Sequence, residues 1–302
     1  MKKVAVIGAN RFVGFCLCDH FLKEGLEVTG YIHQAHDYET ALQEEMELFL
    51  GRNANFTSER MEEKKPLFYP KEQFDAVYFT FFDQGDFRDA SFFREKIKQG
   101  HKALVDCISY CLQSKAKLVF LSSLRVYGTK QEVIGEKIIP NPDHREGRLF
   151  FHFEKMVTKF TQSALSYVII RVPTVYGPWQ PFSAAYQQAC IQLVTREEKA
   201  IEVEEDRRDV LFIDDVVYTV AKCTDASPSS SIIHLYSGQH SQWEQGADLL
   251  NISYEPRESK FEGITDGLNR REKPFAPYTS IREGVQRQKH HTRQLFSHYH
   301  FL

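Results

Sequence analysis

The stretch Val4–Gly14 (VAVIGANRFVG) decides the fold. Its first part, Val4–Ile7, is a short apolar run typical of a buried strand, and it leads directly into a turn. Gly8 permits that turn to be tight, and Gly14 lets the helix predicted for Phe12–Glu24 pack closely on the strand. Backbone N–H groups at the start of such a helix attract an anion, so the stretch predicts a phosphate-binding turn.

Outward from this stretch, strands alternate with helices through the first two-thirds of the chain. Such alternation predicts an α/β fold, a Rossmann-type doubly wound parallel sheet with helices on both faces. Residues 38–65 are helix-prone and charged, and no third strand is placed within them. The other predicted elements are the strands Glu27–Ile32, Ala76–Phe82, Lys117–Leu121 and Tyr167–Arg171, and the helices Phe92–Gln113 and Gly147–Ser163.

The elements become shorter and mixed in the last part of the chain. We expect residues 1–175 to form mainly a dinucleotide-binding Rossmann domain. Residues 176–302 are expected to form mainly a smaller substrate-binding lobe, with some segments returning to the sheet. Residues 227–231 (SPSSS) predict a plain loop.

Composition narrows the class of function. The 302 residues are 42% hydrophobic and carry a formal net charge of −3, so the chain can bury a full core and has no overall field that attracts nucleic acid. No apolar run reaches the length of a membrane span, and we expect neither membrane nor nucleic-acid partners. The six cysteines show no zinc or redox spacing, which favours reduced core thiols and a cytoplasmic protein. No metal site is expected, because standard ligand spacing is absent from the tail histidines His290, His291, His298 and His300.

The turn and the end of the second strand bear on the cofactor. Arg11 stands where a middle glycine is often found, and its side chain either crowds a dinucleotide or reaches a 2′-phosphate. His33 stands where an acidic residue would bind the ribose hydroxyls of NAD. The sequence therefore predicts NAD or NADP, with a slight preference for NADP. The predicted cofactor contacts are Gly8, Asn10, Arg11, Phe12, Val13, Gly14, His33, Thr80, Lys155 and Pro173.

Four further segments carry a resemblance to a known family. They are Leu121–Gly128 (LSSLRVYG), Arg171–Pro178 (RVPTVYGP), Arg208–Val216 (RDVLFIDDV) and Pro277–Gly284 (PYTSIREG). With these segments in this order after the glycine turn, the chain resembles the extended short-chain dehydrogenase/reductase family, in the NAD-dependent epimerase/dehydratase group. The resemblance implies hydride transfer between nicotinamide and a carbon of a sugar nucleotide, and a homodimer formed through the two long helices.

The resemblance also implies a set of catalytic residues. In such enzymes a tyrosine moves the proton, a lysine four residues later lowers its pKa and holds the nicotinamide ribose, a serine orients the substrate, and an asparagine completes a relay. Ser123 matches the serine and Lys155 the lysine, but Phe151 takes the tyrosine position and Ile97 the asparagine position. Positioned acid–base catalysis is worth roughly 10²–10⁴-fold, so these two replacements predict weakened or absent turnover.

Other groups could supply the missing proton. Tyr127 lies near the end of a predicted strand, and His144 lies on a segment predicted to be flexible, from which it could fold over the site. His152 adjoins Phe151, but neighbouring helix positions differ by about 100° around the axis, so it is expected to point elsewhere. The Tyr-x-x-x-Lys motif at Tyr218–Lys222 falls beside another family segment and is expected to be structural.

The predicted substrate contacts are Ser123, Tyr127, Thr174 and Arg208. By the resemblance, Arg208 binds the diphosphate of a sugar nucleotide, and a guanidinium suits phosphate through paired hydrogen bonds. The alternative is that Arg208 pairs with an acid and braces the lobe. Thr174 takes a position near the phosphates that is often asparagine. The phenylalanines at 81 and 82 either narrow the nicotinamide pocket or fill core.

Two functions stay open at this point. The first is an NAD(P)-binding epimerase, dehydratase or reductase that acts on a sugar nucleotide with atypical or weakened chemistry. The second is a catalytically silent relative that senses a nucleotide or supports a partner enzyme.

Overall fold

The main sheet contains seven strands that all pair in parallel. The structure is a computed structural model that describes residues 1–33, 40–63, 65–69, 71–83, 90–131, 133–134, 138–159, 165–197, 199–226, 230–255, 263–264 and 279–299. In spatial order the strands are β3 (Phe56–Arg60), β2 (Glu27–Ile32), β1 (Lys3–Ile7), β4 (Ala76–Phe79), β5 (Lys117–Ser123), β7 (Tyr167–Val172) and β10 (Ser230–His234). This order confirms the predicted Rossmann-type, doubly wound α/β fold.

Helices and two small sheets complete the described part of the chain. The strands β6 (Val133–Ile134) and β11 (Gly263–Ile264) form one pair, and β8 (Thr174–Tyr176) and β9 (Val210–Phe212) form the other. The helices are α1 (Phe12–Lys23), α2 (Thr40–Leu50), α3 (Ala90–Ser114), α4 (Arg145–Thr158), α5 (Ala185–Thr195), α6 (Ile213–Ala226), α7 (Gln242–Leu249) and α8 (Ile281–Tyr299). Among the described helices, none combines the length and apolarity that crossing a membrane requires.

Different helices cover the two faces of the sheet because side chains alternate along each strand. In β1, Val4 and Val6 belong to the apolar cluster that contains Leu17 of α1. Ala5 and Ile7 of the same strand belong to the cluster that contains residues of α3 and α4. The inner strands are buried on both faces, which is why they appear in the sequence as continuous apolar runs.

Several predicted boundaries differ from the structure. The third strand exists as β3, an edge strand with no fully buried residue, and its polar sequence FTSER contains no apolar run that could have revealed it. β4 ends at Phe79 rather than Phe82, and α4 begins at Arg145 rather than Gly147. Four predicted features lie outside the described residues. They are Ser163, where the helix from Gly147 is expected to end, most of the loop at 227–231, the first residues of the PYTSIREG segment, and His300.

The last third of the chain contributes to both the main sheet and its surroundings. β10 returns to the sheet beside β7. α8 packs on α5, with Gln288 donating to Gln187 Oε1 at 2.9 Å. The division of the chain near residue 175 into two domains stays a prediction.

Candidate functional site

The turn after β1 forms a cradle that only glycine fits. Gly8 has a φ of +90°, a conformation that residues with side chains rarely adopt. A Cβ on Gly8 would lie 2.7 Å from the Thr80 carbonyl oxygen, and one on Gly14 would lie 2.0 Å from the Gly8 carbonyl oxygen. The Thr80 hydroxyl donates to the Ile7 carbonyl oxygen at 2.9 Å. The amino end of α1 therefore lies against the carboxyl ends of β1 and β4, the crevice where doubly wound sheets bind ligands.

Asn10 and His33, two predicted cofactor contacts, are engaged within the protein. The Asn10 amide donates to the His33 carbonyl oxygen at 2.9 Å and to Glu47 Oε1 at 3.1 Å, and the His33 ring contacts Gln99. Burial raises the pKa of Glu47, while Arg60 acts in the opposite direction. These contacts tie β2 to α2 and α3, and the cofactor contacts of Asn10 and His33 stay predictions.

A carboxylate meets the amino end of α1. Asp83 follows β4, and its Oδ1 and Oδ2 accept from the Phe12 N–H at 3.2 and 3.3 Å. Arg11 Nη1 lies 3.6 Å from Asp83 Oδ2, and only 2% of the Arg11 side chain is exposed. Arg11 is therefore buried beside a carboxylate, a placement that favours the predicted crowding of a dinucleotide over contact with a 2′-phosphate. Sequence reasoning missed Asp83, because only the fold brings it to the helix.

The crevice itself is nearly filled. The cavity that remains is about 60 Å³, whereas small-molecule sites are typically about 300–1,000 Å³. The Phe82 ring centroid lies 4.9 Å from that of Phe81 and 6.1 Å from that of Phe150. The glycine cradle matches a dinucleotide, but Asp83 and the phenylalanine rings occupy the crevice beside it, so the residues at this point do not fit a nicotinamide ring. The predicted site residues that line this cavity are Phe12, Val13, Thr80, Ser123 and Pro173.

Helix α4 turns a different face to the crevice from the one predicted. Glu146 and Phe150, four residues apart, are buried and line the cavity that Ser123 also lines. Phe151 packs half-buried against the apolar cluster on the α3 side of the sheet. Lys155 is exposed, with its Nζ 4.2 Å from the Phe151 ring centroid. The predicted role of Lys155 as a ribose contact is thereby corrected, since its side chain lies on the outer surface of the helix.

Two contacts set the register of α4. A Cβ on Gly147 would lie 2.2 Å from the Arg125 carbonyl oxygen, so the first turn of the helix is pressed against the segment after β5. Two turns later, Glu154 accepts from Arg171 Nε at 2.9 Å and from Arg171 Nη2 at 2.6 Å. Residues four and eight positions from Glu146 lie on the same side of a helix, so these contacts direct Glu146 inward.

Tyr127 lies in a buried polar network between β5, β7 and β10. Its hydroxyl accepts from Arg171 Nη1 at 2.5 Å and lies 2.8 Å from His234 Nε2. Ser122 Oγ extends the network by donating to Glu154 at 2.6 Å. The Tyr127 hydroxyl therefore bonds to protein groups, and its roles as a substrate contact and as a substitute proton donor stay predictions.

The remaining predicted relay residues divide between the crevice and the core. Ser123 lines the small cavity, and its Oγ accepts from the Arg125 N–H at 3.2 Å. Ile97 is half-buried in the apolar cluster that contains Phe81 and Phe120, where it offers no hydrogen bond.

The other proton donors lie apart from the small cavity. His152 is exposed, with its ring 6.3 Å from that of His101. Tyr218 and Lys222 lie on α6, where the lysine Nζ is 5.6 Å from the tyrosine ring centroid. Within the described part of the chain, no three His, Cys, Asp or Glu side chains converge to hold a metal ion.

Arg208 braces the loop before β9. Its Nη2 donates to Asp206 Oδ2 at 2.5 Å and to the Leu124 carbonyl oxygen at 2.9 Å. Burial raises the pKa of Asp206, but Arg208 and Arg125 together outweigh burial and bring this pKa below its ordinary value. The Thr174 hydroxyl donates to the Asp206 carbonyl oxygen at 2.6 Å. Arg208 therefore takes the bracing role, although its Nη1 has no hydrogen-bond partner among the described residues.

A wider cavity of about 410 Å³ is also lined by Glu146. Arg125 is buried in its wall, with Nη1 3.1 Å from Glu146 Oε2 and 3.1 Å from His144 Nδ1. Arg145 and Arg148 are exposed at its rim. Sequence reasoning missed Arg125 and Glu146, although Arg125 stands inside the LSSLRVYG segment. The other residues that line this cavity are Asp143, Ser183, Ala184, Glu204 and Glu205.

A third cavity, of about 550 Å³, lies between α3 and the carboxyl ends of β2 and β3. Its lysines are paired with its own carboxylates: Lys98 with Glu63 at 2.5 Å and Lys65 with Glu62 at 2.6 Å. These pairs are exposed and leave little net charge to attract a nucleotide.

Comparison with known proteins places this geometry in a family. The sequence model of the NAD dependent epimerase/dehydratase family matches residues 4–235. Similar solved structures include the UDP-glucuronic acid 4-epimerase of Bacillus cereus in complex with UDP-glucuronic acid and NAD, at 20% identity and a TM-score of 0.77, and the UDP-glucose 4-epimerase of Thermotoga maritima with UDP-glucose, at 19% and 0.75. Each alignment covers 97% of this chain and 99% of the other. The Bordetella bronchiseptica enzyme WbmH, in complex with NAD⁺, aligns at 17% identity with a TM-score of 0.73, over 99% of both chains.

At these identities the structural likeness shows the fold alone. The family match, in contrast, spans most of the chain and includes the glycine turn, α4 and the segments that begin at Leu121, Arg171 and Arg208. The chain therefore belongs to the NAD-dependent epimerase/dehydratase family.

Proposed function

We propose that this chain binds a sugar nucleotide without carrying out nicotinamide-dependent oxidation and reduction. The observation that carries the proposal is the inner face of α4, where Glu146 and Phe150 line the crevice with the four-residue spacing expected for the tyrosine and lysine. A phenylalanine can neither hydrogen-bond a ribose nor lower the pKa of a neighbour by its charge. In this proposal Glu146 and Phe150, rather than Phe151 and Lys155, take the two catalytic positions of the family.

The wider cavity supports binding of a sugar nucleotide. Its volume of about 410 Å³ falls in the usual range for small-molecule sites. Arg145 and Arg148 at the rim offer guanidinium groups, which bind phosphate oxygens through paired charge-assisted hydrogen bonds, although Asp143, Glu204 and Glu205 line the same cavity. The epimerases of Bacillus cereus and Thermotoga maritima were solved with UDP-sugars, which favours the same ligand class for this chain.

The family and its neighbours favour an NAD-type cofactor over NADP. The predicted preference for NADP depends on Arg11 and His33, and both side chains contact protein groups, Asp83 and Gln99 respectively. The cytoplasmic location and a homodimer through α3 and α4 stay predictions.

Glu146 favours a second candidate function, an enzyme with atypical and weakened chemistry. Its carboxylate lines both the crevice and the wider cavity, and Arg125 holds it at 3.1 Å. A carboxylate in this position could exchange a proton with a substrate hydroxyl oriented by Ser123. Such chemistry would need no hydroxyl at Phe151.

Calorimetric titration with UDP-glucose, UDP-glucuronic acid and UDP tests the first function. We expect a Kd near or below about 100 μM for at least one of them. The double variant Arg145→Gln/Arg148→Gln is expected to weaken binding by about tenfold or more. Lys155→Gln is the matched control, because it removes one positive charge from the same helix outside the cavity.

The same samples separate the two candidates. The absence of binding to all three compounds would contradict the proposed function. Epimerisation or dehydration of a UDP-sugar with NAD⁺ supplied as the hydride acceptor, lost in Glu146→Gln and retained in Lys155→Gln, would establish the second candidate instead.

A further inference from the structure

A residue from another part of the chain supplies the hydrogen-bond acceptor for the amino end of α1. The first N–H groups of a helix have no partner within the helix and carry partial positive charge. Arg11, the residue that precedes α1, makes no side-chain capping bond. Asp83 instead presents both carboxylate oxygens to the Phe12 N–H, at 3.2 and 3.3 Å. This acidic group thus occupies the place that a pyrophosphate takes in dinucleotide-binding sheets.

The charge of Asp83 is balanced inside the fold. The Asp83 side chain is 8% exposed and that of Arg11 2%, and Arg11 is among the largest fully buried side chains of the described residues. A buried charge is strongly unfavourable without its partner, so each of these two groups holds the other in place. A pyrophosphate that entered this site would meet a negative charge at the helix end and would have to separate this pair.

The Phe82 ring fills the space between the crevice and α3. A Cβ on Gly100 of α3 would lie 2.6 Å from Phe82 Cζ, so α3 has a notch that admits this ring. The ring also lies 4.9 Å from the Phe81 centroid and 5.6 Å from the Phe153 centroid. The cavity of about 60 Å³ that is left holds a couple of water molecules at about 30 Å³ each, and no nicotinamide ring.

From these three observations we infer that the chain has replaced the dinucleotide with its own side chains. The Asp83 carboxylate holds the amino end of α1 in place of a pyrophosphate, Arg11 neutralises that carboxylate, and Phe82 fills the volume toward the crevice. The protein then folds and keeps its substrate-side cavity without a cofactor. This inference rests on the proposed function, in which the chain carries out no nicotinamide chemistry. It assigns that absence to Asp83, Arg11 and Phe82.

Calorimetric titration with NAD⁺ and NADH tests the inference directly. We expect the wild-type protein to show no binding up to about 1 mM of either compound. Arg11→Ala/Asp83→Ala removes the pair together, so that neither charge is left buried alone, and is expected to gain at least about tenfold in affinity for NAD⁺. Adding Phe82→Ala to the pair is expected to increase the affinity again. Circular dichroism checks that each variant is folded.

Two further variants keep the test decisive. Asp83→Asn retains the shape and an acceptor oxygen but removes the charge, and is expected to bind inorganic pyrophosphate more tightly than the wild-type protein does. Asp75→Ala is the matched control, because Asp75 also accepts backbone N–H bonds, from Lys2 and Lys3, but at the opposite end of β4. It is expected to gain no affinity for either probe.

Wild-type binding of NAD⁺ or NADH with a Kd below about 100 μM would overturn the inference. Folded Asp83→Asn and Arg11→Ala/Asp83→Ala proteins that both bind no tighter than the wild type would also overturn it. Titration of the same samples with UDP-glucose and UDP-glucuronic acid reports separately on the proposed function, so the two can fail independently.

Discussion

Removing the carboxylate of Glu154 is expected to destabilise the protein by about 3–5 kcal/mol, because it leaves a buried guanidinium without its partner. The Glu154 and Arg171 side chains are only 3% and 6% exposed. They are joined by two hydrogen bonds of 2.9 and 2.6 Å, and Ser122 donates a third to Glu154. Arginine cannot lose its proton inside a protein, so Arg171 must stay charged. The variant Glu154→Leu tests this expectation because it keeps the volume of the side chain.

Urea denaturation followed by circular dichroism measures the loss. The double variant Glu154→Leu/Arg171→Met is expected to be more stable than Glu154→Leu alone, because no charge then stays buried. Glu197→Ala serves as a control: its partner Lys199 is 72% exposed, and an exposed pair contributes at most about 1 kcal/mol. A loss below about 1 kcal/mol for Glu154→Leu, or a double variant less stable than the single one, would refute the reasoning.

Three further predictions concern the turn, the outer face of α4 and the half-buried His291. Gly14→Ala is expected to destabilise the protein by more than about 2 kcal/mol in urea denaturation, because the new Cβ would lie 2.0 Å from a backbone oxygen. Gly25→Ala is the control: its Cβ would meet nothing within 4 Å, so only the positive φ of Gly25 is expected to destabilise the variant, by about 1 kcal/mol. Phe151→Tyr is expected to leave NADH formation from UDP-sugars undetectable, because the new hydroxyl would lie outside the crevice. The same variant is expected to change the free energy of unfolding by less than about 0.5 kcal/mol. NADH formation in this variant would show that position 151 faces the cofactor. Burial lowers the pKa of His291 from 6.5 to about 4, so His291 binds a proton more readily in the unfolded chain than in the folded protein. The contribution of neutral His291 to stability is therefore complete above about pH 6.5. This contribution is lost as the pH falls toward 4, by at most about 1.4 kcal/mol per pH unit. Denaturation at about pH 7 and pH 5 is therefore expected to show a smaller pH effect in His291→Phe than in the wild-type protein, and an equal effect would exclude His291 as its source.

The fold could be predicted because its signals are local. The apolar run before Gly8, the spacing to Gly14 and the alternation of strand and helix patterns each depend on residues close together in the chain, and backbone sterics and side-chain periodicity translate them directly into elements. The edge strand β3 escaped prediction for the same reason, since Phe56–Arg60 is stabilised by pairing with β2 and carries no apolar pattern of its own.

The site depended on packing between distant parts of the chain. A helix offers several sets of residues at four-residue spacing, and sequence alone does not say which set faces inward; in α4 the contacts of Gly147 and Glu154 choose Glu146 and Phe150 over the pair predicted from the resemblance. The carboxylate of Asp83 reaches the Phe12 N–H across 71 positions of the chain.

The sequence by itself thus determined the Rossmann architecture, the glycine cradle and the family, because these follow from local backbone preferences and short motifs. Only the tertiary structure decided that Asp83 and Arg11 fill the cradle, that Arg208 braces a loop and that Glu146 joins the two cavities. Those outcomes depend on the pairing of buried charges and on close contact between helices and strands, which no periodicity in the chain records.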